Sequence, residues 1–231
     1  MNVFLWGLED QITLMLFILS LVVVFVAQYM VKKAFREYRT IRVKSNISGF
    51  EAARKILDAN NLDKVHIVEV KGELNDHYDP KAKVVRLSTP IFHEESIAAV
   101  AVAAHEVGHA MQDKEQYLPL KIRNLIIPTT SFMSNIGYFM IIIGLLAGAF
   151  QLIMFGLIFF SASLIFQLVT LPVEFDASKR AKKQLRKLNI SAKSEEENIR
   201  KMLNAAALTY VAAIIATILQ IMRIYLMSRG R

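Results

Sequence analysis

Four stretches of this chain, residues 12–31, 126–147, 152–171 and 205–222, are long, apolar and free of charge or nearly so. A bilayer core needs about 20 apolar residues per helix, within a range of about 17–25, and all four stretches qualify. The fourth is the shortest and carries Thr209, Tyr210, Thr217 and Gln220. A buried helix of a water-soluble fold is therefore the alternative for that stretch alone. Composition agrees with the pattern. Hydrophobic residues make up 54% of the 231 residues, against about 45–50% in soluble domains. A wholly soluble chain and a disordered one are both excluded, because this much apolar material must be buried.

Basic residues set the expected orientation. Lys32, Lys33, Arg36, Arg39, Arg42 and Lys44 follow the first stretch, and Lys179, Arg180, Lys182, Lys183, Arg186 and Lys187 follow the third. Before the first stretch stand only Glu9 and Asp10, and residues 148–151, between the second and third, carry no charge. The positive-inside rule then puts residues 32–124 and 174–204 in the cytoplasm, with both chain ends outside. Arg223, Arg229 and Arg231 oppose that assignment weakly. The net charge of +8 is read as basic residues beside helix ends and lipid headgroups. A nucleic-acid surface is not expected, since no recognisable module or interleaved aromatic pattern accompanies the charge. A span followed by no small-residue cleavage site is a retained anchor. The lack of intramembrane ionisable residues argues against a transporter. Cysteine is absent, which removes disulfides, thiolate metal sites and cysteine nucleophiles.

Residues 45–120 read as a small α+β unit. Ser48 precedes Glu51 by three, a capping-box pattern opening a helix of about residues 49–60. Phe50, Ala53, Ile56 and Leu57 share one face of it. Residues 65–70 and 84–88 read as strands, the second stopped by Pro90, with a turn-rich loop at 75–80 between them. An alanine-dense helix follows over about residues 94–112. Its first half has no polar face and is expected to be buried all round.

That helix ends in chemistry. His105, Glu106, Val107, Gly108 and His109 form H-E-x-x-H. Four residues advance a helix by about 400° and about 6 Å, so the two imidazoles share a face and can bind one ion. Glu106 lies about 100° round from His105. Neutral imidazoles suit zinc, which lowers the pKa of a bound water to about 7. Glu106 can take that proton and later pass it to a leaving amine. A catalytic zinc needs a third protein ligand. Position 115, where the metzincin pattern has histidine, is Glu115. Glu174 and Asp176, directly after the third apolar stretch, are the candidates, and Glu174 is preferred. Pro172 suits a membrane exit, with a new helix starting near Val173. His77 and Tyr78, in the turn-rich loop, are possible oxyanion stabilisers. The strand at 84–88 is a possible open edge for an extended substrate backbone.

AVAAHEVGHAMQ, the hydrophobic hairpin, LPVEFDAS and NDHYDP at residues 75–80 together resemble the YugP-like neutral zinc metallopeptidases of bacteria. These are similar to the HtpX-type and CAAX prenyl membrane proteases. The resemblance implies zinc ligands at His105, His109 and Glu174, with Glu106 as general base. One departure is evident. The HtpX-like pattern puts an aspartate four residues after the ligand glutamate, and here that position is Ser178. The groups behind the ligands must then differ, with Asp176 serving from another angle or as an alternative ligand.

The expected fold class is mainly α and integral to the membrane, with four transmembrane helices and a small cytoplasmic α+β zinc-peptidase unit. The organisation is an anchor helix at 1–34, a cytoplasmic unit carrying the zinc helix at 35–121, and a transmembrane hairpin at 122–173. A cytoplasmic helix with the third ligand and basic run follows at 174–204, then a transmembrane helix and short tail at 205–231. Both ligand segments adjoin the hairpin in sequence, so one zinc ion is expected near the cytoplasmic membrane surface. Polypeptide substrates, membrane proteins or their juxtamembrane segments, follow. The expected function is a gluzincin-like zinc metalloendopeptidase of the cell membrane. The rival is a non-catalytic scaffold or assembly factor with a closed, structural zinc. Intramembrane cleavage is disfavoured, because Glu94, Glu95, Asp113 and Lys114 flank the motif helix.

Overall fold

The computed structural model describes residues 2–229. Met1, at the start of the expected anchor, and Gly230 and Arg231, at the end of the expected tail, lie outside the described residues. The chain divides into two units.

One unit comprises residues up to 28, 122–171 and from 209 onward. It is built from parts of α1 (Asn2–Arg39), α5 (Leu118–Ala147), α7 (Ala162–Lys187) and α8 (Glu196–Arg229), with all of α6 (Phe150–Phe160). Among the described residues, four helical segments are long and apolar enough to cross a membrane: Glu9–Arg39, Leu118–Ala147, Phe150–Lys187 and Lys193–Arg229. At about 1.5 Å per residue, each exceeds the bilayer's hydrocarbon thickness of about 30 Å. The hairpin between α5 and α6 closes over two residues. Gly148 supplies the turn at φ +66°, a left-handed conformation that glycine adopts without a Cβ clash. Ala149 N–H then bonds to Gly144 O at 2.8 Å. Polar side chains within this unit pair with one another: Gln167 donates to Thr217 at 2.9 Å and Gln220 to Ser20 at 2.6 Å. In lipid such pairs satisfy groups that water cannot reach.

The other unit comprises residues 29–121 and 172–208. Its first helix after the loop at 40–48 is α2 (Gly49–Ala59), and the expected cap is present. Ser48 Oγ accepts from Glu51 N–H at 3.2 Å, while the Glu51 carboxylate accepts from Ser48 N–H at 2.7 Å. Ala52, Ala53, Ile56 and Leu57 are fully buried, and Phe50 stacks on Phe92 at 4.8 Å between ring centres. Three strands follow, β1 (His66–Val70), β2 (His77–Asp79) and β3 (Val84–Ser88), in the order β1-β3-β2. β1 runs parallel to β3 with His66 opposite Val84, and β2 runs antiparallel with Tyr78 opposite Val85.

Two expectations are corrected here. Part of the turn-rich segment at 75–80 is a strand. β3 is the central strand, paired on both sides, and offers no open edge. The edge belongs to β1 and β2.

A short α3 (Thr89–His93) leads into α4 (Ile97–Lys114). Ser96 caps α4 by accepting Ala99 N–H at 3.1 Å. Ile97 to Ala101, Ala103 and Ala104 are buried, as a helix start with no polar face requires. α4 packs against α2, α3, β2 and β3. Ala181 and Leu185 of α7, and Ile199, Met202 and Leu203 of α8, belong to the same core. A further correction concerns Pro172, which lies inside α7 rather than before its start. Proline removes one intrahelical hydrogen bond, and the apolar turns before it and the packed turns after it keep the helix continuous.

Candidate metal and catalytic site

α4 carries His105 and His109 one turn apart on one face, with ring centres 4.8 Å apart and ring planes near perpendicular at 86°. α7 brings Glu174 to the same point. Glu174 Oε2 lies 3.3 Å from His105 Nε2 and 3.6 Å from His109 Nε2. One potential ligand atom from each of the three residues falls within 4.8 Å of the others. The approach of α7 depends on Gly108. A Cβ at that position would stand 2.7 Å from Ala177 O and 3.2 Å from its C and Cα. Glycine between the two histidines thus lets main chain touch main chain.

The groups behind the ligands are as specific as the ligands. Ser178 Oγ lies 3.1 Å from His105 Nδ1, and Gln112 Oε1 lies 3.0 Å from His109 Nδ1. Each imidazole is held by its outer nitrogen and presents Nε2 inward. Asp176 is not in the cluster. It accepts from Gln112 Nε2 at 2.9 Å and from Arg180 Nε at 2.5 Å, and Arg180 also reaches Glu115 at 2.6 Å. Gln112 was not anticipated from sequence. The available signal was a polar residue three positions after His109, on the same helical face, in an otherwise apolar turn.

This donor set fits zinc. Two imidazole nitrogens and a carboxylate oxygen are the ligands of many hydrolytic zinc sites. Tetrahedral ligands about 2.0–2.1 Å from an ion stand about 3.3 Å apart, close to the two carboxylate–imidazole separations. Glu174 is 4% exposed and His109 8%, so the carboxylate is shielded yet faces imidazoles rather than apolar groups.

Glu106 is also 8% exposed. Burial pushes its carboxyl up to about 7, aided by the nearby Glu174 and Asp76 charges and opposed by His105 and by a hydrogen bond from Tyr78 N–H. Edge strand β2 therefore has main chain beside Glu106. Asp76 anchors the entry to β2. It accepts from Ser88 N–H at 2.7 Å and from the Ser88 hydroxyl at 2.9 Å. Of the two oxyanion candidates, Tyr78 spends its hydroxyl hydrogen on Asp113 Oδ2 at 2.7 Å. His77 is exposed, with Nδ1 2.9 Å from Asn75 O.

Comparison with known proteins gives the same class. A family model described as "Putative neutral zinc metallopeptidase" matches residues 13–229. The "Putative membrane protease YugP" of Bacillus subtilis (strain 168) is 45% identical over 199 residues, spanning 86% of this chain and 88% of that protein. No solved structure matches. On the reach of that family model and the identity of that relative, the chain belongs to the neutral zinc metallopeptidase family, whose member here has four helices fit to cross a membrane.

Proposed function

We propose that this chain is a membrane-bound zinc endopeptidase of gluzincin type that hydrolyses peptide bonds at the cytoplasmic membrane surface. The observation that carries the reading is the convergence of His105, His109 and Glu174 beside a buried Glu106. His105, His109 and Glu174 would hold the ion. An ion held there would supply Lewis acidity toward the scissile carbonyl and toward an attacking water. Glu106 accepts the water's proton at a carboxylate oxygen and returns it to the leaving nitrogen. Strand β2, at the sheet edge and beside Glu106, is the place for an extended substrate backbone to pair.

Support for cytoplasmic orientation comes from the basic runs after the first and third apolar stretches. Support for membrane-protein or juxtamembrane substrates comes from the chain itself. Glu174 follows the third stretch by three residues, and the relative is named a membrane protease. The test is Glu106→Gln in the full chain, in proteoliposomes with an unfolded model membrane protein as substrate. The variant should bind zinc as the parent does and lose at least about a hundredfold in cleavage rate. Cleavage at the parent rate refutes the mechanism.

A further inference from the structure

The side chain behind His109 is an amide, where a carboxylate or a backbone carbonyl is the common partner of a zinc histidine. Gln112 is fully buried, so each of its hydrogen-bonding groups needs a partner. Its neighbours leave one arrangement. Gln112 Nε2 is 2.8 Å from Val173 O and 2.9 Å from Asp176 Oδ2. A main-chain carbonyl can only accept. Asp176 Oδ2 already accepts from Arg180 Nε at 2.5 Å, and it faces Gln112 as an acceptor too. Both amide hydrogens of Gln112 are thereby spent, and the amide cannot be turned over without setting its oxygen against two acceptors. Gln112 Oε1 must then face His109 Nδ1, 3.0 Å away, and can only accept there. His109 must then carry a hydrogen on Nδ1, and in the neutral imidazole the lone pair is left on Nε2, toward the ion.

Resting on the zinc reading above, we propose that Gln112 is a positioning residue, and that the chain Arg180–Asp176–Gln112 fixes His109 in its metal-ready tautomer and orientation before any ion arrives. Asp176 acts on His109 through an amide, and the same amide ties the zinc helix α4 to α7 at Val173. Ser178, whose hydroxyl rotates freely, imposes no such tautomer on His105.

This arrangement makes an unusual demand. Gln112→Glu puts the stronger acceptor behind a zinc histidine, which normally strengthens a site. Here it removes both donors and sets a carboxylate against Asp176 and Val173 O, so it should weaken the site. Asp176→Asn restores a donor toward position 112. Full-length protein in detergent micelles, labelled with ¹⁵N-histidine, reports the tautomer directly. Zinc affinity is measured by competition with a chelator of known affinity, and the helical circular dichroism signal verifies folding.

In the zinc-free parent, at a pH alkaline enough for the imidazole signals to be those of the neutral ring, His109 should show the Nδ1–H tautomer. Gln112→Leu should abolish that preference and weaken zinc binding about 10- to 100-fold with helicity retained. Gln112→Glu should weaken binding at least tenfold, and Gln112→Glu with Asp176→Asn should recover part of the loss. An Nε2–H tautomer in the parent overturns the proposal, as does parent-level affinity in folded Gln112→Leu or Gln112→Glu. A parent chain with no high-affinity zinc binding overturns the zinc reading together with this one. Tight parent binding with indifferent Gln112 variants overturns this one alone.

Discussion

Gly108→Ala tests whether the close approach of α4 and α7 makes the site. The added Cβ would lie 2.7 Å from Ala177 O, about 0.7 Å short of the 3.4 Å at which ordinary contact begins. All three nearest atoms belong to the Ala177 main chain, so no side chain can swing aside. The helices must part or tilt by several tenths of an ångström. Glu174 sits one turn from Ala177 on α7, and both histidines flank position 108 on α4, so the movement passes straight into the ligand geometry. Stability should change little. Alanine favours the helix over glycine by about 1 kcal/mol, while overpacking costs about 1–3 kcal/mol. The net is between no change and a loss of about 2 kcal/mol. Function should suffer far more, since misplacement by about 1 Å can cost about a hundredfold in rate. Chelator competition and cleavage of an unfolded model membrane protein, with denaturant unfolding alongside, should give a 10- to 100-fold loss in cleavage and weaker zinc binding in a protein that still folds. Gly7→Ala, where the Cβ meets nothing within 4 Å, is the control. Parent-like affinity and cleavage in Gly108→Ala would refute the claim that this contact sets the site.

Two further outcomes follow from the same geometry. Glu106 is held protonated in the folded, zinc-free chain up to about pH 7, whereas the unfolded chain releases that proton near its ordinary value of about 4.3. Between those pH values the folded state binds more protons, so stability falls as pH rises, by about 4 kcal/mol in all. The stability difference between zinc-free parent and Glu106→Gln should move by that order between pH 4.5 and 7.5, and a flat difference contradicts the burial argument. Glu174→Gln replaces a charged ligand with a weak neutral one. It should weaken zinc binding at least a hundredfold, whereas Asp176→Asn should weaken it less, and equal losses would remove the distinction between ligand and support.

The parts legible in the sequence share a physical property: each is a local pattern. The apolar stretches, the Ser48–Glu51 cap and the all-apolar start of α4 depend on neighbours within one or two turns. H-E-x-x-H depends only on helical pitch. The illegible parts depend on main chain or on partners far along the sequence. β2 is three residues long, His77–Asp79, between turn residues. Its strand character comes from pairing with β3 and from Asp76 gripping Ser88, which no periodicity announces. From sequence β3 looks like an edge, because β2 on its other side carries no strand pattern. α7 runs through Pro172 because the apolar turns before it and the packed turns after it outweigh one lost hydrogen bond. Gln112 looked like an ordinary polar helix residue, and its role appears only when Val173 and Asp176 arrive from more than sixty positions away.

The most direct test of the central claim is the zinc K-edge anomalous signal in a crystal of the full chain, with its coordinating atoms. One ion should be bound by His105 Nε2 and His109 Nε2 at about 2.0–2.1 Å and by a Glu174 oxygen at about 2.0–2.2 Å, with a fourth position left for water. An ion closed by four protein ligands, or one that Glu174 does not touch, would contradict that claim.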